Sequence, residues 1–151
     1  FLMPAGEYAP YIQTFLFSLL KDKRINQYMG DTLGNRIVHG NGIVAAPFEG
    51  SVIGGLLCSD ILSPIIYRAL VLEKNANVLV NIGDPSWFHH SRLLYIKTLE
   101  AAKMHAVQNR TYLLQATDGS PSFAISPDGR VIAESPWNWK GVLMVHIPKT
   151  P

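Results

Sequence analysis

Ser51-Val-Ile-Gly-Gly-Leu-Leu-Cys58-Ser-Asp60-Ile-Leu-Ser63-Pro64 is the stretch on which the fold turns. An apolar run ends at the chain's only cysteine, and a second apolar segment opens at Ser63-Pro64. This predicts a buried strand, a sharp turn and a helix, with Ser63 as N-cap and Pro64 at the first helical position. A thiol at such a turn can lie near a helix N-terminus, where the dipole favours thiolate. A lone cysteine cannot close an internal disulfide, so it serves either packing or chemistry. Most such residues are small buried hydrophobes, and placement alone leaves both readings open.

Outward from this stretch a regular alternation extends from residue 43. It predicts strands at 43–47, 51–58, 77–82, 111–117, 121–126, 130–134 and 141–147, and helices at 64–74 and 91–109. In the second helix Leu93, Ile96, Leu99, Ala102 and Ala106 form the apolar stripe, with Arg92, Lys97 and Lys103 on the outside. Val78-Leu-Val-Asn-Ile82 reads as a strand covered on both faces. Pro127-Asp-Gly129 reads as a hairpin turn. Strand, helix, strand and helix followed by four strands describe an α/β fold with helices packed on a sheet.

Upstream, residues 10–20 suit a short aromatic-rich helix, either part of a core or a surface that meets lipid. Residues 21–42 are polar and contain Gly, as an exposed loop or insertion would. The start, Phe1-Leu-Met-Pro-Ala-Gly-Glu7, reads as the middle of a longer protein.

The 151 residues suffice for one domain with a core. They are 48% hydrophobic and 16% charged, with a formal charge of +2. The one basic cluster, Lys21-Asp22-Lys23-Arg24, is broken by an acid, so nucleic-acid binding has no compositional support. No window reaches the roughly 18 uninterrupted apolar residues of a membrane-spanning helix.

A catalytic cysteine needs a base, an orienting group and oxyanion donors. The histidines are His39, His89, His90, His105 and His146, and none falls in a Cys/His protease signature. Adjacent His89 and His90 point apart on a strand or a helix, which disfavours a metal pair, and no cofactor is expected. His105 and His146 lie within a helix and a strand, where packing or exposure is the default. Glu7, set between Pro4-Ala5-Gly6 and Tyr8-Ala9-Pro10, is either a solvated loop acid or a fixed carboxylate. Asp60 could be a helix-start acid. Asp84-Pro-Ser-Trp87-Phe88 follows a strand end, where ligands gather in α/β sheets. Trp87 and Phe88 could line a site or plug the core edge.

Together these segments resemble the carbon–nitrogen hydrolase (nitrilase) superfamily. Leu2-Met-Pro-Ala-Gly-Glu7-Tyr-Ala-Pro10 is similar to that group's "LVPFGEYVP". Gly54-Gly-Leu-Leu-Cys58-Ser-Asp60-Ile resembles its nucleophile elbow, usually Cys-Tyr-Glu, and Asn81-Ile-Gly-Asp84-Pro-Ser-Trp87-Phe88 resembles its "SNDAWF" loop. Ala106 to Arg110, Ala116-Thr117 and Ile125 to Val131 resemble the "AxENxR…ATN…PDGRV" tail. The Gly-Glu-Tyr stretch favours the acyltransferase branch.

The resemblance implies the C-terminal half of an α-β-β-α sandwich and a Glu–Lys–Cys triad. Cys58 would be the nucleophile and Glu7 an additional acid of the site. The lysine and the general-base glutamate would lie before Phe1, with the rest of the domain and flanking transmembrane helices. It further implies a thioester formed from a phospholipid and passed to a lipoprotein amine, on the periplasmic side of a bacterial inner membrane. Tyr8, Ser59, Asp60, Trp87 and Phe88 would bind substrate, and Tyr11, Phe15 and Phe17 would add to the acyl-chain approach. Ser59 in place of Tyr, Asp60 in place of Glu, and Asp84-Pro85 depart from the pattern. The same fold serves soluble amidases and could persist in a non-enzymatic relative.

Overall fold

The computed structural model describes residues 42–148 apart from His90, and the backbone but not the side chains of Ser86 and Trp87. The expected helix at 10–20, the loop at 21–42 apart from Gly42, and Glu7 and Tyr8 lie outside the described residues.

Ala45–Phe48 (β1) and Ser51–Leu57 (β2) form an antiparallel pair. A five-residue 3-10 helix, Cys58–Leu62, leads into Pro64–Lys74 (α1). Val78–Gly83 (β3) follows, then a short 3-10 helix at Pro85–Phe88 and the long helix Arg92–Asn109 (α2). Tyr112–Thr117 (β4), Phe123–Ile125 (β5) and Val131–Glu134 (β6) complete one six-stranded sheet, ordered as in the chain. The β2–β3 and β3–β4 pairs are parallel, and their crossovers are α1 and α2. The outer pairs are antiparallel.

Both helices pack on one face of the sheet. Leu70 of α1, Ala102 and Ala106 of α2, and Leu56, Leu79, Leu113 and Ile125 of the sheet share this core. Gly54 permits the close approach of α1, because a Cβ there would stand 3.0 Å from Leu79 and 3.2 Å from Leu70.

The structure corrects the expected face of α2. Leu93 and Ile96 point outward, 66% and 51% exposed, whereas Tyr95, Leu99, Ala102, His105 and Ala106 face the core. A strict three-residue stride drifts around a helix of 3.6 residues per turn. Steps of four and three from Tyr95 keep to one side. The both-faces-covered reading of β3 holds at Val78 and Leu79 but fails at Ile82, which is 57% exposed. Ile82 lies in register with Leu57 and Ala116, on the face opposite the helices.

The strand expected at 141–147 does not form among the described residues, where the segment has no ladder partner. Its alternation survives only as exposure, with Val142 and Met144 open and Leu143 and Val145 half-buried. A period of two marks an extended chain with one side against the molecule, but a strand also needs a neighbour. Among the described residues, three strands rather than four therefore follow α2. The hairpin turn is as expected: Gly129 N–H donates to Ser126 O at 2.8 Å, and Ser126 N–H donates to Arg130 O at 2.9 Å.

Candidate active site

Cys58 begins the 3-10 helix directly after β2 and has a φ of 45°. The left-handed region costs a residue with a Cβ roughly 1–2 kcal/mol, so the surroundings must hold it there. α1 starts six residues later, so the thiol stands at the N-terminus of the 3-10 helix and not of α1. Ser63 occupies the N-cap position of α1 as expected, and Pro64 the first turn, but the Ser63 hydroxyl makes no cap bond. Its backbone N–H instead donates to Asp60 O, closing the 3-10 helix.

Three supports fix this turn. The Asp60 carboxylate reaches back to accept the Leu57 N–H at 2.9 Å. The side-chain amide of Asn81 donates to Cys58 O at 3.2 Å and to Gln115 Oε1 at 2.8 Å. From α2, His105 Nε2 lies 3.0 Å from Ile61 O. A carbonyl only accepts, so His105 carries its proton on Nε2. Burial lowers its pKa, with the Ile61 bond opposing. Its ring stacks on Tyr67 at 4.3 Å. Burial first, and then the Asp60 charge, raise the Tyr67 phenol well above its ordinary value.

Gly83 closes the site from β3, where a Cβ would stand 3.2 Å from Cys58 Cα. Asp118 N–H donates to Gly83 O at 3.3 Å, which ties the loop after β4 to the same place. The carboxyl ends of the three parallel strands thus converge on Cys58, as ligand sites in such sheets do.

Cys58, Ser59 and Asp60 share this turn, and all three are half-buried. Asp84 follows β3 and is exposed. Phe88, 42% exposed, ends the 3-10 helix whose backbone also includes Trp87. His105 is a packing residue and His146 is exposed. Among the described residues no cluster of His, Cys, Asp and Glu could hold a metal ion, and no helix is long and apolar enough to cross a membrane. Sequence reasoning missed Asn81, Gln115 and Gly83. The signal available was one amide in each of two largely apolar strands, at positions the parallel register makes neighbours.

The profile of the Carbon-nitrogen hydrolase family matches residues 11–150, and the chain belongs to that family. It is 27% identical to the apolipoprotein N-acyltransferase of Aquifex aeolicus over 95% of its length, and 31% identical to that of Bdellovibrio bacteriovorus over 98%. It spans little more than a quarter of these relatives, 29% and 26% of their lengths. Among solved structures it is similar to a variant amidase from Nesterenkonia sp. AN1 in which acrylamide has added to the active-site cysteine. That likeness has a TM-score of 0.56 at 20% identity, covering 73% of this chain and 44% of that one. A nitrilase-superfamily protein of Saccharomyces cerevisiae gives a TM-score of 0.54 at 16% identity, over 69% and 40% of the two chains. The fold is that of the nitrilase superfamily.

Proposed function

We propose that this chain is the nucleophile-bearing part of an apolipoprotein N-acyltransferase. The observation that carries the reading is Cys58, held left-handed where three parallel strand ends meet. The Cys58 sulfur attacks the carbonyl of a phospholipid acyl ester. Its proton passes to a general base, which returns it to the departing lysophospholipid oxygen. The resulting thioester is attacked by the α-amine of a lipid-modified N-terminal cysteine on a lipoprotein. An amide forms, the amine's proton passes through the base to sulfur, and the thiol is restored. No cofactor enters this sequence.

The general base and an oxyanion-binding lysine belong to segments outside these 151 residues, as does the bilayer anchor. Glu7 contributes a further carboxylate. Tyr8, Ser59, Trp87 and Phe88 contact the acyl chain or headgroup, and Asp60 shapes the turn. The domain stands on the periplasmic face of a bacterial inner membrane.

Relatives named for acyl transfer, aligned along nearly the whole chain, support this over an amidase reading. The structural likeness to amidases carries the fold alone. The test is Cys58→Ala in the full-length protein, with lipoprotein N-acylation read from the mass of the N-terminal peptide. Loss of the third acyl chain is expected. Persistent acylation would exclude Cys58 as nucleophile, and short-amide hydrolysis without acyl transfer would make the protein an amidase.

A further inference from the structure

Beneath Cys58 lie two side chains with no direct part in the chemistry above. Asn81 on β3 is fully buried and Gln115 on β4 is 5% exposed. They are register partners on adjacent parallel strands, on the face that the helices cover. Their surroundings are apolar: Leu56, Leu79, Leu113 and Phe123 are all buried there. An amide pair in such a place costs free energy relative to two aliphatic side chains of the same volume unless every bond is made. Packing therefore does not explain it.

The bond pattern accounts for the Asn81 nitrogen, whereas the buried Asn81 Oδ1 has no hydrogen-bond partner among the described residues. Cys58 O can only accept, so the Asn81 atom facing it is the nitrogen, and that nitrogen also donates to Gln115 Oε1. Gln115 thus fixes the orientation of Asn81, and Asn81 fixes the carbonyl of the one residue whose left-handed conformation aims the thiol. A bond to that carbonyl restrains the peptide plane after Cys58. Gly83, two residues along the same strand, leaves room for the turn to sit against β3. The reach is long in sequence, 23 residues from Asn81 to Cys58 and 34 from Asn81 to Gln115.

We propose that Asn81, oriented by Gln115, is a positioning residue that holds the Cys58 turn in its reactive conformation. The inference rests on the reading of Cys58 as nucleophile. Its effect belongs to the reaction step more than to binding. Misplacing a reacting group by about 1 Å can cost on the order of 100-fold in rate.

The test uses the full-length protein with Asn81→Asp, which keeps the shape but replaces the donor with an acceptor, and Gln115→Met, which removes the acceptor at similar volume. Three readouts are compared with wild type: kcat and KM for acyl transfer, iodoacetamide alkylation followed at the Cys58 peptide by mass spectrometry, and the thermal midpoint. Asn81→Asp should lower kcat about 100-fold with KM nearly unchanged, and should change the alkylation rate of the folded protein. Gln115→Met should act in the same direction, by about 10-fold in kcat. If Asn81→Asp does not fold, Gln115→Met decides alone. Wild-type kcat and alkylation in the folded variants, or losses that only track the unfolded fraction, would overturn the proposal. Alkylation needs no lipid substrate, so it reports on positioning even where Cys58→Ala shows the acyl-transfer reading to be wrong.

Discussion

The Cys58 turn and the β5–β6 hairpin both place a residue in the left-handed region at a strand end, by opposite means. The hairpin uses Gly129, φ 82°, which pays no steric penalty there. Its bonds are local: Ser126 Oγ donates to Asp128, and Arg130 Nε donates to Asp128 at 2.6 Å. Those bonds hold the exposed Asp128 carboxyl below its usual pKa, the Ser126 bond first among them. The Cys58 turn puts a Cβ and a thiol where glycine would be easier, and holds them with Asn81 and, across the helix layer, His105. A turn built for shape takes the residue that fits. A turn built to present a side chain keeps the costly residue and recruits distant support, as strained functional sites do.

Substitution of the two glycines should break this contrast open. Gly83→Val drives a side chain into the Cys58 backbone, and acyl transfer should fall by about 100-fold or more. Gly129→Val strains φ and meets Val107, so the thermal midpoint should drop by the equivalent of about 1–3 kcal/mol. The folded fraction of that hairpin variant should keep its turnover. Turnover assays and melting curves on the pair separate the two turns, and equal effects on turnover would erase the distinction.

The same contrast explains what could be read from the sequence. The hairpin was legible because Ser126 to Arg130 carry all of its determinants within five residues. Both helices and the parallel core strands were legible from periodicity and from Pro64. The Cys58 position was legible as a strand end. Its supports were not, because Asn81 and Gln115 are single amides in largely apolar strands whose meaning appears only once β3 and β4 are set in register. The failed strand at 141–147 has the mirror-image cause: its alternation was real, but a ladder partner is not a local property.

A third prediction concerns His105, which ties α2 to the Cys58 turn. Burial places its folded-state pKa below the ordinary 6.5, so the unfolded chain binds the proton more readily. Stability is complete above that value and lost as pH falls below it, by at most about 1.4 kcal/mol per pH unit. Melting curves of wild type and His105→Gln between about pH 7.5 and pH 5.5 should show the steeper decline in wild type. Parallel declines would remove His105 from the account.

The smallest effect sharpens the comparison most. Cys58→Gly removes the Cβ from a left-handed position but adds backbone freedom to the unfolded chain. Relative to Cys58→Ala, which keeps the Cβ, it should be as stable or more stable, by up to about 1 kcal/mol. Denaturant melts of the two variants check this, and a glycine variant clearly less stable than alanine would mean the turn is not strained.

The most direct test is whether Cys58 carries an acyl group. Full-length protein is incubated with phospholipid in the absence of an acceptor amine, then quenched in acid and digested. The peptide containing Cys58 should gain the mass of one fatty acyl chain, and neutral hydroxylamine should remove it, as expected of a thioester. A Cys58 peptide that stays unmodified while lipoprotein N-acylation proceeds would contradict the account.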